Sequence, residues 1–247
     1  MTGPVVVGYT ATDAGADALA VGRRLARAIE APLEIVIVLP SDERSVITPP
    51  DAGYTRFVRE QADSWLARLD ADLHAGRHIR YGESFAAGLV EAADDLQASF
   101  LVVGAANGGL RGRHFLGSVA SELLHSADVS VVLAPEGARD ADSSTGITRV
   151  TAAVGTRPGA DVLLDEAVTL ASAASVPLRL VSLETIDLPP GLDTGAIRVA
   201  GAEHAADVLE AARAELPEGL ASEAVVATGE DVEDAVGDLS WEPGEIA

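Results

Sequence analysis

The sequence predicts a doubly wound α/β fold: a parallel five-stranded sheet of strand order 3-2-1-4-5, followed by a second, truncated copy of the same unit. Three observations lead there. Short continuous runs of Val, Ile and Leu, such as Val5–Gly8 and Leu33–Leu39, alternate with longer amphipathic segments. Runs that are apolar throughout, rather than at every second position, suit strands covered on both faces, as in a parallel sheet. The same order of strands and helices then starts again near residue 147, and such alternation marks the α/β class.

Val5–Gly8 reads as the first buried strand. Asp13–Glu30 follows as a helix, with Leu19, Leu25 and Ile29 set among Ala and Arg. Leu33–Leu39 is the second strand, and Pro40–Tyr54 is a loop rich in Pro, Asp and Ser. Arg56–Ala75 reads as a helix, with Phe57, Ala62, Leu66, Leu69 and Leu73 near one face. His78–Tyr81 is a short third strand. Ser84–Leu96 is a helix with Ser84 as its N-cap, because a Ser oxygen there accepts an otherwise unpaired N–H. Phe100–Val103 is the fourth strand and ends at Gly104. A Gly-rich loop leads from there to a helix at Ser118–Ala127. Val129–Leu133 is the last strand, stopped by Pro135.

The first domain is therefore placed at residues 1–136. Residues 137–146 (GARDADSSTG) are small and polar and read as a linker. Residues 147–247 form the second domain, and three anchors align it with the first. Gly15-Ala16-Asp17 matches Gly159-Ala160-Asp161 at an offset of 144, Pro32-Leu33 matches Pro177-Leu178 at 145, and Gly82-Glu83 matches Gly229-Glu230 at 147. At the last offset Ala247 corresponds to Phe100. The second copy is thus expected to lack its fourth and fifth strands, leaving its first strand as a bare edge with unpaired backbone groups.

Composition excludes several classes of function. Of 247 residues, 48% are hydrophobic, ample for a core. There are 17 Arg, no Lys and 39 Asp plus Glu, for a net charge of −22. Such a surface repels phosphate backbones and anionic lipid, so neither nucleic acid nor membrane is expected as a partner. Without Lys there is no Schiff base and no Walker A phosphate clamp. Without Cys there is no thiolate nucleophile, disulfide or Cys-ligated zinc. The five His are scattered, so no metal site is expected. No apolar run reaches the roughly 18 residues of a membrane span, and no signal peptide is seen, which points to the cytoplasm.

One constellation carries chemistry. From Gly104 to Gly117 the loop holds five glycines, with Arg111, Arg113 and His114 among them, and a helix opens at Ser118. Glycines let backbone N–H groups turn toward a ligand, and a helix start adds unpaired donors and the positive end of its dipole. Ser118 either caps that helix or donates to a phosphate oxygen. In the predicted strand order, strands one and four are neighbours whose connections leave in opposite directions. The crevice beyond their carboxyl ends is where such folds bind ligands. It would be lined by Tyr9–Asp13 and Gly104–Ser118.

The loop resembles that of the universal stress proteins, whose nucleotide-binding members carry Gly-x2-Gly-x9-Gly-Ser/Thr there. In this sequence it reads Gly104-x2-Asn107-x9-Gly117-Ser118. Gly108-Gly-Leu-Arg-Gly112 and the run Ser118-Val-Ala-Ser-Glu-Leu-Leu-His125 extend the likeness. It covers residues 3–136 and, more loosely, 147–247. The resemblance implies an adenine-nucleotide site made of Tyr9, Thr10, Ala11, Thr12, Val38, Gly104, Asn107, Gly108, Gly117, Ser118 and Val119. It implies ATP as the ligand, with ADP, AMP and a magnesium ion also admitted. It further implies a role in stress response through binding and self-association, with slow ATP hydrolysis at most. Two positions depart from the pattern. Asn107 replaces the second Gly; Asn tolerates positive φ, but its side chain crowds a phosphate. Thr10 stands where nucleotide-binding members have an Asp.

The alternative is an interaction and dimerisation module of the same fold, in which the loop is purely structural. A catalytic alternative, a nucleotidyl transferase, needs an early His-x-Gly-His signature that the sequence lacks. No set of acid, base and nucleophile is legible. Gly82-Glu-Ser84-Phe-Ala86 falls short of a nucleophile elbow, and Ser84 reads better as a cap.

Overall fold

The computed structural model describes residues 3–41, 52–70, 73–105, 117–142, 145–185, 195–229 and 232–247. The chain divides into two units, Met1–Ser144 and Thr145–Ala247.

The first unit holds β1 (Val5–Gly8), α1 (Asp13–Ala28), β2 (Leu33–Pro40), α2 (Ala52–Ala67), β3 (Ala75–Gly82), α3 (Phe85–Asp95), β4 (Phe100–Gly104), α4 (Ser118–Ser126) and β5 (Ser130–Ala134). Its sheet has the order β3-β2-β1-β4-β5, with every pair parallel. β1 is central, with Val5 opposite both Leu33 and Phe100. Val5, Val6 and Val7 are accordingly wholly buried. On one face Val6, Val36 and Leu101 meet Ala86, Leu89 and Ala92 of α3 and Leu123 of α4. On α1, Leu25, Ala18 and Val21 are buried, and Gly22 rides over Val7 so closely that a Cβ would sit 2.3 Å from Val7 Cγ2.

The boundary between α2 and β3 differs from the sequence expectation. The helix expected at Arg56–Ala75 runs Ala52–Ala67, and the strand expected at His78–Tyr81 runs Ala75–Gly82. The cause is pairing along the whole of β2, from Leu33↔Ala75 to Pro40↔Gly82, which draws Ala75, Gly76 and Arg77 into the sheet. Arg77 then donates to the carbonyls of Leu69 and Asp70 at 3.4 and 3.1 Å, just past the end of α2.

The expected linker 137–146 is also divided. Gly137, at φ 83°, opens a 3₁₀ turn at Ala138–Asp140, and Ala138 is buried. The buried carboxylate of Asp17 accepts from the N–H groups of Gly137 (3.2 Å) and Arg139 (2.9 Å) and from the Arg139 guanidinium (2.9 Å). Arg24 donates to the Ala138 carbonyl at 2.6 Å. These small polar residues therefore finish the first unit instead of spanning a gap, because a buried carboxylate requires partners.

The second unit holds β6 (Arg149–Ala153), α5 (Ala160–Ala174), β7 (Leu178–Thr185), α6 (Gly195–Ala214), β8 (Ser222–Gly229), α7 (Val232–Gly237) and β9 (Glu245–Ile246). The strands are parallel, in the order β8-β7-β6-β9. Its backbone repeats that of the first unit. Val5 N–H donates to Pro32 O and Val150 N–H to Pro177 O, while Tyr9 pairs with Val36 as Val154 pairs with Val181. The left-handed residue closing the helix is Glu30 (φ 53°) in one copy and Ser175 (φ 56°) in the other. The structural offset is thus constant from β1 through α1 to β2, so Gly15 corresponds to Ala160, and the tripeptide match lies one residue out of register.

Three strands with a bare edge were expected here, and a fourth is present. β9 is only two residues long, yet it pairs with Arg149 and Val150 where β4 pairs with β1. Side chains supply what its short ladder lacks. The Glu245 carboxylate, 1% exposed, accepts from Arg149 at 2.7 Å and also from Thr151 and Arg179.

Candidate functional site

A cavity of about 290 Å³ lies beyond the carboxyl ends of β1 and β4. Gly8, Thr10, Ala14 and Gly15 line it from the β1–α1 side, and Val103 and Gly104 from β4 with Ala105 just after it. Phe85, the first residue of α3, and Gly117–Ala120, the start of α4, complete it. This is the predicted switch point, where α1 leads from β1 to β2 while α4 leads from β4 to β5 on the other side.

Two glycines make the close approach possible. A Cβ on Gly15 would lie 1.9 Å from the Thr10 carbonyl oxygen, and one on Gly104 would lie 2.1 Å from the Ala14 carbonyl oxygen. Both obstacles are backbone, which cannot swing aside, so the first turn of α1 sits directly on β4. Thr12 is the N-cap of α1, its hydroxyl accepting from Gly15 N–H at 3.3 Å and lying 2.9 Å from the Thr10 hydroxyl. The N-cap of α4 is Gly117, which has no side chain with which to cap the helix. The N–H groups of Ser118, Val119 and Ala120 have no intrahelical acceptor, and these three residues line the cavity beside the positive end of the helix dipole.

The expected site residues fall into three groups. Thr10, Gly104, Gly117, Ser118 and Val119 line the cavity. Tyr9, Ala11, Thr12 and Val38 are not among its lining residues. Tyr9 bonds through its N–H to Val36 O, and burial pushes its phenol pKa up. Val38 packs against the core beside Gly88. Asn107 and Gly108, with Arg111, Arg113 and His114, lie outside the described residues. Among the described residues, no cluster of three His, Cys, Asp or Glu is placed to hold a metal, and no helix is long and apolar enough to cross a membrane.

Residues 1–135 match the sequence profile of the Universal stress protein family. The chain is also 30% identical, over 262 aligned positions, to universal stress proteins of Mycobacterium tuberculosis and Mycobacterium bovis. Those alignments span 98% of this chain and 87% of each relative. The chain belongs to the universal stress protein family. Its fold is shared with a universal stress protein from Archaeoglobus fulgidus DSM 4304, at 16% identity and a TM-score of 0.59, over 91% of this chain and 78% of that one.

Six contributors to this universal stress crevice went unread in the sequence: Gly8, Ala14, Gly15, Phe85, Val103 and Ala120. A usable signal existed for Phe85. It lies one turn before Leu89, and residues four apart share a helix face. Leu89 packs against Gly8, at the carboxyl end of β1, and against the core of β4. No local signal marks Ala14 and Gly15, because their role is set by the distance between α1 and β4.

Proposed function

We propose that the first unit is a cytoplasmic adenine-nucleotide-binding domain and that the protein serves stress response by binding and association rather than by turnover. ATP is the expected ligand, with ADP and AMP as its lower homologues. The observation that carries this is that the N-terminus of α4, whose N-cap is a glycine, lines a cavity at the β1/β4 switch point. Phosphate oxygens there take the free N–H groups of Ser118, Val119 and Ala120, in the positive field of the helix. The cavity volume of about 290 Å³ is near the lower end of small-molecule sites, which start at about 300 Å³. Thr10 offers a neutral hydroxyl to the nucleoside where an Asp stands in the nucleotide-binding pattern. Among the described lining residues there is no carboxylate, so a magnesium ion arriving with ATP would be held by phosphate oxygens and water.

The test is calorimetric titration of the intact chain with ATP, ADP and AMP, repeated on Gly117→Val. Gly117 has φ −59° and ψ 161°, a conformation open to Val, so helix content measured by circular dichroism is expected to hold. The branched side chain would shield the α4 amides and weaken ATP binding at least about tenfold, the loss of roughly one charge-assisted hydrogen bond. A wild-type chain that takes up none of the three nucleotides would leave the interaction module as the better account. Equal affinity in the variant would remove α4 from the phosphate site.

A further inference from the structure

We propose that Ser84 and Glu122 are positioning residues that fix the N-terminus of α4 relative to that of α3, and so set the anion end of the crevice. The proposal rests on the nucleotide-binding function above. Both helices give their first residues to the cavity: Phe85 from α3, and Ser118, Val119 and Ala120 from α4. Deeper in, apolar contact holds the pair together, since Leu123 shares the core cluster with Ala86 and Leu89. Near the rim the link is polar. The Ser84 hydroxyl donates to Glu122 Oε1 at 2.8 Å while accepting from Ala87 N–H at 3.0 Å as the N-cap of α3. A hydroxyl has one proton, and the cap uses only its lone pair. The proton is thus free to reach across to α4.

Glu122 lies four residues after Ser118, on the same face of α4. α4 spans nine residues and has no side-chain cap of its own. Its first turn therefore depends on outside contacts for a fixed position. The bond has an electrostatic side as well. It holds the Glu122 carboxylate at the positive end of α3, so that this negative charge is drawn away from phosphates at the start of α4.

The test compares Glu122→Ala with Glu122→Gln in the intact chain, using ATP titration together with amide hydrogen exchange in the absence of ATP. Glu122→Gln keeps an acceptor oxygen for the Ser84 hydroxyl, whereas Glu122→Ala does not. Expected are a loss of ATP affinity of roughly three- to tenfold in the Ala variant, the scale of one hydrogen bond, and near-wild-type affinity in the Gln variant. Amides at Ser121–Leu124, beginning with the Ser121 N–H that bonds Gly117 O, should exchange several-fold faster in Glu122→Ala alone. Unchanged exchange in Glu122→Ala, or the same increase in Glu122→Gln, would overturn the proposal. A wild-type chain that binds no nucleotide would instead overturn the proposed function, while the exchange comparison would still decide the positioning role.

Discussion

Asp17 is 1% exposed, and both carboxylate oxygens are engaged by Gly137 and Arg139. In the sequence it is one acid among 39, because what distinguishes it, a buried position facing residues 120 or more positions away, is a property of the fold. Asp17→Ala would leave two backbone donors without their acceptor and the Arg139 guanidinium with Asp13 alone. It should destabilise the first unit by about 2–4 kcal/mol, the scale of leaving two part-buried backbone donors without their acceptor. Urea denaturation followed by circular dichroism measures this, and a change below about 1 kcal/mol would show that water replaces the carboxylate. At Gly104 the obstacle is space, with the Ala14 carbonyl oxygen only 2.1 Å from where a Cβ would go. Gly104→Ala should cost about 1–3 kcal/mol through overpacking and should narrow the crevice, so stability and ATP affinity would fall together.

At the scale of elements, the constant offset of the two copies makes α1 and α5 comparable position by position. Asp17 and Ala18 of α1 correspond to Val162 and Leu163 of α5. The first two are 1% and 0% exposed, the second two 68% and 44%. α1 packs across β4 and the 3₁₀ turn after β5, whereas among the described residues the sheet beyond β6 on α5's side continues only as the two residues of β9. Ala18→Leu should therefore destabilise by about 1–3 kcal/mol through overpacking. The mirror change Leu163→Ala should stay within about 0.5 kcal/mol, as surface changes usually do.

β9 depends on charge. Burial pushes the Glu245 carboxyl pKa up, but hydrogen bonds from Arg149, Thr151 and the Glu242 N–H, with the field of Arg179, outweigh burial and hold it below the ordinary Glu value. The folded state then binds this proton less readily than the unfolded chain. The stability Glu245 contributes is complete above the unfolded value of about 4.3 and is lost as pH falls through the lower folded one. Trp241 lies 4.9 Å from the Arg179 guanidinium and reports on this network. In a Trp65→Phe background, urea midpoints read from Trp241 should drop as pH falls below about 4.3, and less so in Glu245→Gln. A drop of equal size in both would assign acid sensitivity to other carboxylates.

For the whole molecule, two compact units of unequal charge imply separable behaviour. Residues 1–136 hold 11 Arg and 18 acids, and residues 137–247 hold 6 and 21. A nucleotide bound in the β1/β4 crevice stabilises only the unit that contains it. At a concentration of 100 times Kd the gain is about 2.7 kcal/mol. Followed by fluorescence, the Trp65 transition of the first unit should move to higher urea with ATP while the Trp241 transition stays in place. Movement of both together would show that the units unfold as one.

The strand runs, the five-stranded order and the position of the crevice were legible in the sequence, because buried parallel strands write continuous apolar runs and the Gly-rich loop writes its own start and stop. So was the second copy, down to its smaller size. Tertiary structure alone decided the rest. It ended α2 early, because β2 pairs along its whole length with β3. It folded residues 137–140 onto α1 through a buried carboxylate, and it built β9 around Glu245. It also brought Phe85 and the start of α4 to one rim of one cavity. In each case the deciding contact joins residues far apart in the chain, and no local periodicity records a partner dozens of residues away.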